Sequence, residues 1–385
     1  MTDPHHVYFV PGMFGFGRLA GYDYFVHLRR ELDRRFADAG IPMISGLVPT
    51  PPTSSLRFRA GVLAKMVSRS ADGKGPVHLI GHSTGGLDVR LVLSPSTSLR
   101  VEPDSFGWRR RVCSAVSLNT PHYGTPLASY FASVAGTRVL YALSLLTVVS
   151  LSVGEPSLAV LSKLLSGLGG VDQLLGGNLR LISRATELVL RFVDEEGRGE
   201  ISEFLSKIQI DQGAVIQIMP EAMDLFNAST EDDPRVRYGA IATAAPVPRA
   251  LRFAKRVRSP YSALTAAMFA TLHRLTAQRP KPYPYAEPSA EVAAELARAT
   301  GVPVDDEAND GVVPTLSMLW GELVWAGQAD HLDVIGHFSD DGPQPPGEPE
   351  HVDWVMSGAR FDRRRFGSMM DALAAFLMES AEERG

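Results

Sequence analysis

The sequence is short of reactive sulfur. Among 385 residues there is one cysteine, Cys113, which excludes an internal disulfide and a cysteine metal cluster. Its setting in VCSAVSL makes it an expected buried, inert thiol. Positive charge is not in excess either. The 38 Lys and Arg residues against 43 Asp and Glu leave a net charge of −5, which argues against nucleic acid as the main partner. A membrane-length apolar run is missing as well. The longest uncharged stretch, 139–154 (VLYALSLLTVVSLSVG), falls short of the ~20 residues that a spanning helix needs. It is expected to form an apolar surface helix or lid, with a buried core helix as the alternative. The opening MTDPHHVYFVPG lacks a basic segment followed by a long apolar one, so no leader is expected in this chain. That leaves both a cytoplasmic protein and a mature exported form open. No internal repeat is found.

What the sequence does have is enough apolar material, 45% hydrophobic residues, for one large α/β domain with insertions or for two or three domains. Continuous β-branched and aromatic runs at 7–10, 43–48, 77–80 and 112–118 are expected strands. Helical spacing separates them. Phe25, Leu28, Leu32 and Phe36 share one stripe over 24–39 before Gly40-Ile41-Pro42, and a second helix is expected over about 55–70. Strands alternating with helices imply a mostly parallel sheet covered on both faces. Residues 1–126 and 236–385 would form this core. Residues 127–235, rich in Leu, Ser and Gly with no clear strand, are expected to be a helical cap. A smaller insertion is expected at about 249–300, and 363–380 is expected to be a closing helix.

Within this frame, HLIGHSTGGLD at 78–88 places a serine between glycines, after a strand and before a helix. Gly81-His82-Ser83-Thr84-Gly85 matches the G-x-S-x-G turn, in which a strained serine stands clear of the sheet and a Cβ on either glycine would clash. Ser83 is therefore the expected nucleophile. The Thr84 N–H, at the start of the helix, is an expected donor to a developing oxyanion. A serine hydroxyl needs a base held by an acid, and in this architecture they follow in the order Ser, Asp, His. Asp310 in NDGVVP and His331 in ADHLDVI are the expected acid and base. His337 and His351 compete for the base, Asp333 and Asp353 for the acid. The second oxyanion donor is expected from the loop after the first strand, at the Met13 N–H. Phe14 and Phe16 on that loop, together with His82 and His122, are the candidate substrate-contacting residues. The His82 ring, adjacent to Ser83 in sequence, should point away from the hydroxyl.

These residues resemble the bacterial triacylglycerol lipases of the α/β-hydrolase superfamily. PGMFGFGRLAGYDYF is similar to that family's oxyanion loop, and HLIGHSTGGLDVR to its nucleophile turn. LNTPHYGTPLA resembles its A-P-H-x-G-S segment. NDGVVP and DHLDVI resemble the segments carrying the acid and the base. The likeness covers about 1–127 and 236–335. It implies an α/β-hydrolase fold with a helical lid, nucleophile Ser83, acid Asp310, base His331, and oxyanion donors Met13 and Thr84. Two departures stand out. Pro11 replaces the family's histidine before the loop glycine. Of the two aspartates that hold a structural calcium in secreted members, Asp333 has a match, but EPSAE stands where the other is expected. The resemblance thus implies no cofactor beyond that unsupported calcium.

The expected activity is hydrolysis of carboxylic esters of lipids through an acyl-enzyme, on molecules presented by a lipid aggregate or polymer surface. A carboxylesterase, thioesterase or polyester depolymerase of the same mechanism is the alternative. A non-catalytic binding module of this fold is the remote one.

Overall fold

The computed structural model describes residues 3–384 apart from 16–17, 20–21, 72, 134–194, 250–259, 280, 341 and 343–346. The expected lid helix at 139–154 lies outside the described residues, and so does Phe16. Among the described residues, no helix is long and apolar enough to cross a membrane.

Six parallel strands form the sheet: β1 (His5–Val10), β4 (Met43–Leu47), β5 (Val77–His82), β6 (Val112–Leu118), β7 (Arg237–Ala244) and β8 (Glu322–Gln328), in the order β4-β1-β5-β6-β7-β8. A separate two-stranded ribbon, β2 (Arg18–Leu19) with β3 (Tyr22–Asp23), follows β1. The first strands show why both faces must be covered. In β1, Val7 and Phe9 enter one core cluster while Tyr8 and Val10 enter another, the two-residue alternation of a strand buried on both sides. One face receives α1 (Val26–Asp38) and α10 (Arg363–Glu382). The other receives α2 (Leu56–Ser70) and α3 (Thr84–Leu93). Helix α1 turns Leu28, Leu32 and Phe36 inward, as its spacing predicts. Helix α10 buries Phe366, Met369, Met370, Leu373, Phe376 and Leu377, and each such side chain is worth roughly 1.5–3 kcal/mol of apolar transfer.

Between β6 and β7 the described elements are all helical: α4 (Pro126–Phe131), α5 (Glu195–Ile210), α6 (Gly213–Gln217) and α7 (Pro220–Ser229). Between β7 and β8 lie α8 (Pro260–Thr276) and α9 (Ala290–Thr300). Leu296 of α9 packs with Ala242 of β7 and Leu323 and Ala326 of β8, so α9 covers the sheet as a crossover helix. Cys113 is buried in β6, where desolvation pushes its thiol up from the ordinary value.

The strand order fixes where a ligand can enter. From β1 the chain steps outward to β4, then returns to the other side of β1 as β5 and continues away to β8. The order reverses between β1 and β5, and a crevice opens at the carboxyl ends of strands at such a point. The loop after β1 and the turn after β5 both border it.

Candidate active site

Ser83 occupies the turn from β5 into α3 with φ 53° and ψ −129°. A side chain bearing a Cβ rarely holds this geometry, and it persists only when the surroundings enforce it. The enforcement is visible. The Ser83 N–H donates to Leu118 O at 2.8 Å and its carbonyl accepts from Gly86 N at 3.1 Å. A Cβ on Gly81 would lie 2.4 Å from Gly86 N, and one on Gly85 would lie 2.1 Å from Val10 O. Both glycines are therefore steric requirements of the turn.

The loop after β1 approaches from the opposite side of the crevice. A Cβ on Gly12 would stand 3.2 Å from Ser83 Oγ. Phe14 takes a left-handed φ of 60°, and its N–H donates to Pro52 O at 3.0 Å. Arg59, wholly buried on α2, reaches Pro11 O through Nη2 at 2.6 Å and pairs with Asp88 of α3 at 2.8 Å. Pro11 stands where the resembling family has a histidine, and here its carbonyl is braced by this guanidinium. Among the described residues, neither the Met13 nor the Thr84 amide N–H donates to a protein group. Thr84 follows Ser83 in sequence, and Met13 lines the same cavity as Ser83.

Asp310 and His331 meet across the ends of β7 and β8. The Nδ1–H of His331 donates to Asp310 Oδ2 at 2.6 Å. The other carboxylate oxygen accepts the N–H groups of Val312 at 2.8 Å and Val313 at 2.7 Å. With Nδ1 donating to a carboxylate, Nε2 keeps its lone pair for a proton. A reciprocal turn presents the imidazole. Asp330 Oδ1 accepts from the N–H of Leu332 and of Asp333, while Asp333 Oδ2 accepts from Asp330 N–H. Ser83, Asp310 and His331 line one cavity. Ser83 Oγ makes no hydrogen bond among the described residues, and in ligand-free sites the nucleophile–base contact commonly tightens only with substrate.

The cavity has a volume of about 140 Å³. Met13 and Phe14 from the β1 loop, Leu127 and Phe131 from α4, Met268, Phe269 and Leu272 from α8, and Trp354 form most of its apolar wall.

The competing candidates sit elsewhere. His337 stacks on Trp354 at 4.0 Å between ring centroids, and His351 Nδ1 bonds Gly336 O at 2.7 Å. Asp353 Oδ1 accepts the Val355 N–H, and burial, reinforced by Asp330, lifts its pKa to about 8. Two expectations are corrected. His82 and His122 are buried and are not among the residues that line the cavity. His82 accepts from Tyr24 OH at Nδ1 and donates Nε2–H to the His331 carbonyl, each at 2.9 Å. Burial holds its pKa well below the usual value, so this neutral ring is a brace for the His331 loop. His122 bonds Ser117 Oγ at 3.0 Å and stacks on Trp320. Sequence reasoning missed Tyr24, Arg59 and Asp330, because nothing in their local patterns signals a contact made far along the chain.

Asp333, the implied calcium ligand, spends Oδ2 on its own turn. Among the described residues, no group of three His, Cys, Asp or Glu side chains is placed to hold a metal ion.

The parallel sheet, the strained Ser83 turn between β5 and α3 and the crevice beside it define an α/β-hydrolase fold, and solved structures agree. The chain superposes on Staphylococcus hyicus lipase with TM-score 0.51 and 15% identity, over 99% of this chain and 96% of that one. It superposes on EstA from Clostridium botulinum with TM-score 0.50 and 17% identity, over 97% and 88%. No family model matches the chain. In sequence it is similar to a triacylglycerol lipase of Vibrio cholerae serotype O1, 36% identical over 120 residues, or 31% of this chain and 33% of the relative. A triacylglycerol lipase of Pseudomonas fragi is 29% identical over 121 residues, or 31% and 35%. The chain thus matches about a third of the length of these curated relatives.

Proposed function

We propose that the protein is a serine hydrolase that cleaves carboxylic esters, those of lipids included, through an acyl-enzyme on Ser83. The observation that carries this reading is a serine at φ 53° that opens, with a hydrogen-bonded His331–Asp310 pair, onto one apolar cavity. Ser83 Oγ attacks the ester carbonyl carbon as His331 Nε2 takes the hydroxyl proton. Asp310 holds the imidazole in orientation and stabilises its positive charge. The Met13 and Thr84 amides receive the oxyanion, each such donor being worth roughly 3–4 kcal/mol. The tetrahedral intermediate expels the alcohol, which leaves with the proton from His331. Water then attacks the acyl-enzyme by the same route, releasing the acid and restoring Ser83. The named relatives, a triacylglycerol lipase among them, support the ester as the bond attacked.

A fluorophosphonate probe tests the nucleophile directly. Wild-type protein should be labelled at Ser83 and should hydrolyse p-nitrophenyl butanoate. Ser83→Ala should lose the label and about 10⁴–10⁶-fold in kcat. Parental turnover in that variant would sink the reading.

A further inference from the structure

Two helices, α4 and α8, contribute wall to the cavity, and both are tied to the turn that carries Asp310. Helix α8 is fixed at two polar points. Asn309 Nδ2 donates to His273 O at 3.2 Å, and Thr276 Oγ1 donates to Gly311 O at 3.2 Å. The Phe269 ring lies on Gly311 so closely that a Cβ there would come within 2.5 Å of it. Helix α4 is held to the same turn, since Thr125 Oγ1, at its N-cap, donates to Val312 O at 2.6 Å. The two helices then join through Leu127, Phe131 and Leu272, which form one buried cluster. A displacement of this wall would drag the Asp310 turn with it and disturb the His331 contact. The wall is built as a fixed boundary.

The volume behind that boundary is small. At about 140 Å³ it matches the ~150 Å³ engineered cavity that accepts a six-carbon benzene ring. From this we infer that the site selects esters of short acyl chains, about two to six carbons, with Met268, Phe269 and Leu272 of α8 setting the limit. The inference rests on Ser83 being the acylated nucleophile. A chain of twelve or more carbons would have to displace a helix pinned to the catalytic acid.

The test is kcat/KM for p-nitrophenyl esters from acetate to hexadecanoate, at one fixed detergent concentration. The expected optimum is butanoate or hexanoate, with dodecanoate lower by about tenfold or more. Met268→Ala and Leu272→Ala, each checked for native circular dichroism, should raise the dodecanoate-to-butanoate ratio by about fivefold or more. Met268 is only partly buried, which keeps the test alive if the Leu272 variant fails to fold. Equal rates on butanoate and dodecanoate in the wild type would overturn the chain-length limit while leaving ester hydrolysis intact. An unchanged ratio in the folded Met268 variant would overturn the role of α8. Absence of turnover on every ester, with no fluorophosphonate label on Ser83, would instead overturn the underlying reading.

Discussion

Arg59 sits outside the cavity yet holds one of its edges. Its guanidinium has no solvent exposure and is shared between Asp88, Pro11 O and Pro51 O. Arg59→Met would leave the Asp88 carboxylate buried without its cation, and removing one partner of a buried pair costs about 3–5 kcal/mol. Urea unfolding should register that loss. The same variant should lower kcat more than it raises KM, because the loop bearing the Met13 N–H loses its brace. Such contacts cannot be read from sequence, since Arg59 and Asp88 belong to different helices. Ser83 was readable for the opposite reason: the glycines that its turn requires stand two residues away on either side. The pairing of Asp310 with His331 was readable from their order, Asp310 standing in a turn before the apolar pair Val312-Val313 and His331 after the apolar run LVWAG. The direction of His122 was not, because which side of the crevice a side chain faces depends on tertiary register.

Elements were legible where their periodicity was local. Helix α2 runs Leu56–Ser70 and helix α10 runs Arg363–Glu382, close to the expected 55–70 and 363–380. Strand β6 spans Val112–Leu118 with every residue buried, as a central strand of a parallel sheet should be. Strand β8 is different. It lies at the sheet edge with exposed Glu322 and half-buried neighbours, so only the apolar run LVWAG marks it in the sequence. The junction of β5 and α3 is the element least able to change. A methyl group on Gly85 would sit 2.1 Å from the Val10 carbonyl oxygen, and backbone on both sides prevents relief. Gly85→Ala should yield no soluble folded protein, or one destabilised by more than about 3 kcal/mol by thermal melting. A variant within about 0.5 kcal/mol of wild type would mean that β1 and α3 are packed more loosely than described.

At the scale of the whole molecule, buried carboxylates set the response to alkali. Burial raises the pKa of Asp330 to about 6 and of Asp353 to about 8, and raises that of Asp333 also. A carboxyl with a raised folded pKa binds its proton more tightly in the folded state. Its stabilisation is therefore complete below the unfolded value and is lost as pH rises through the folded one. Buried histidines with lowered folded values, His27, His78, His82, His122 and His337 among them, oppose this slope up to about pH 7.5, because they take up protons only on unfolding, near their ordinary ~6.5. The Asp353 contribution is therefore a difference between two proteins: from pH 6.5 to 8.5 the wild type should lose up to about 2 kcal/mol relative to Asp353→Asn. Asp353→Asn, which keeps the acceptor for Val355 N–H, should remove that loss in a pH series of thermal melts. A slope identical to wild type would remove Asp353 as its source.

The single cysteine of this chain has a practical corollary. Because Cys113 is enclosed within β6 and its thiol holds its proton, the native surface offers maleimide reagents no ready target. One engineered cysteine on α8 and another on α10 would each give a singly addressed fluorophore position without first deleting a native residue. Distances between those dyes could then report, molecule by molecule, whether the cavity wall keeps station while an ester turns over.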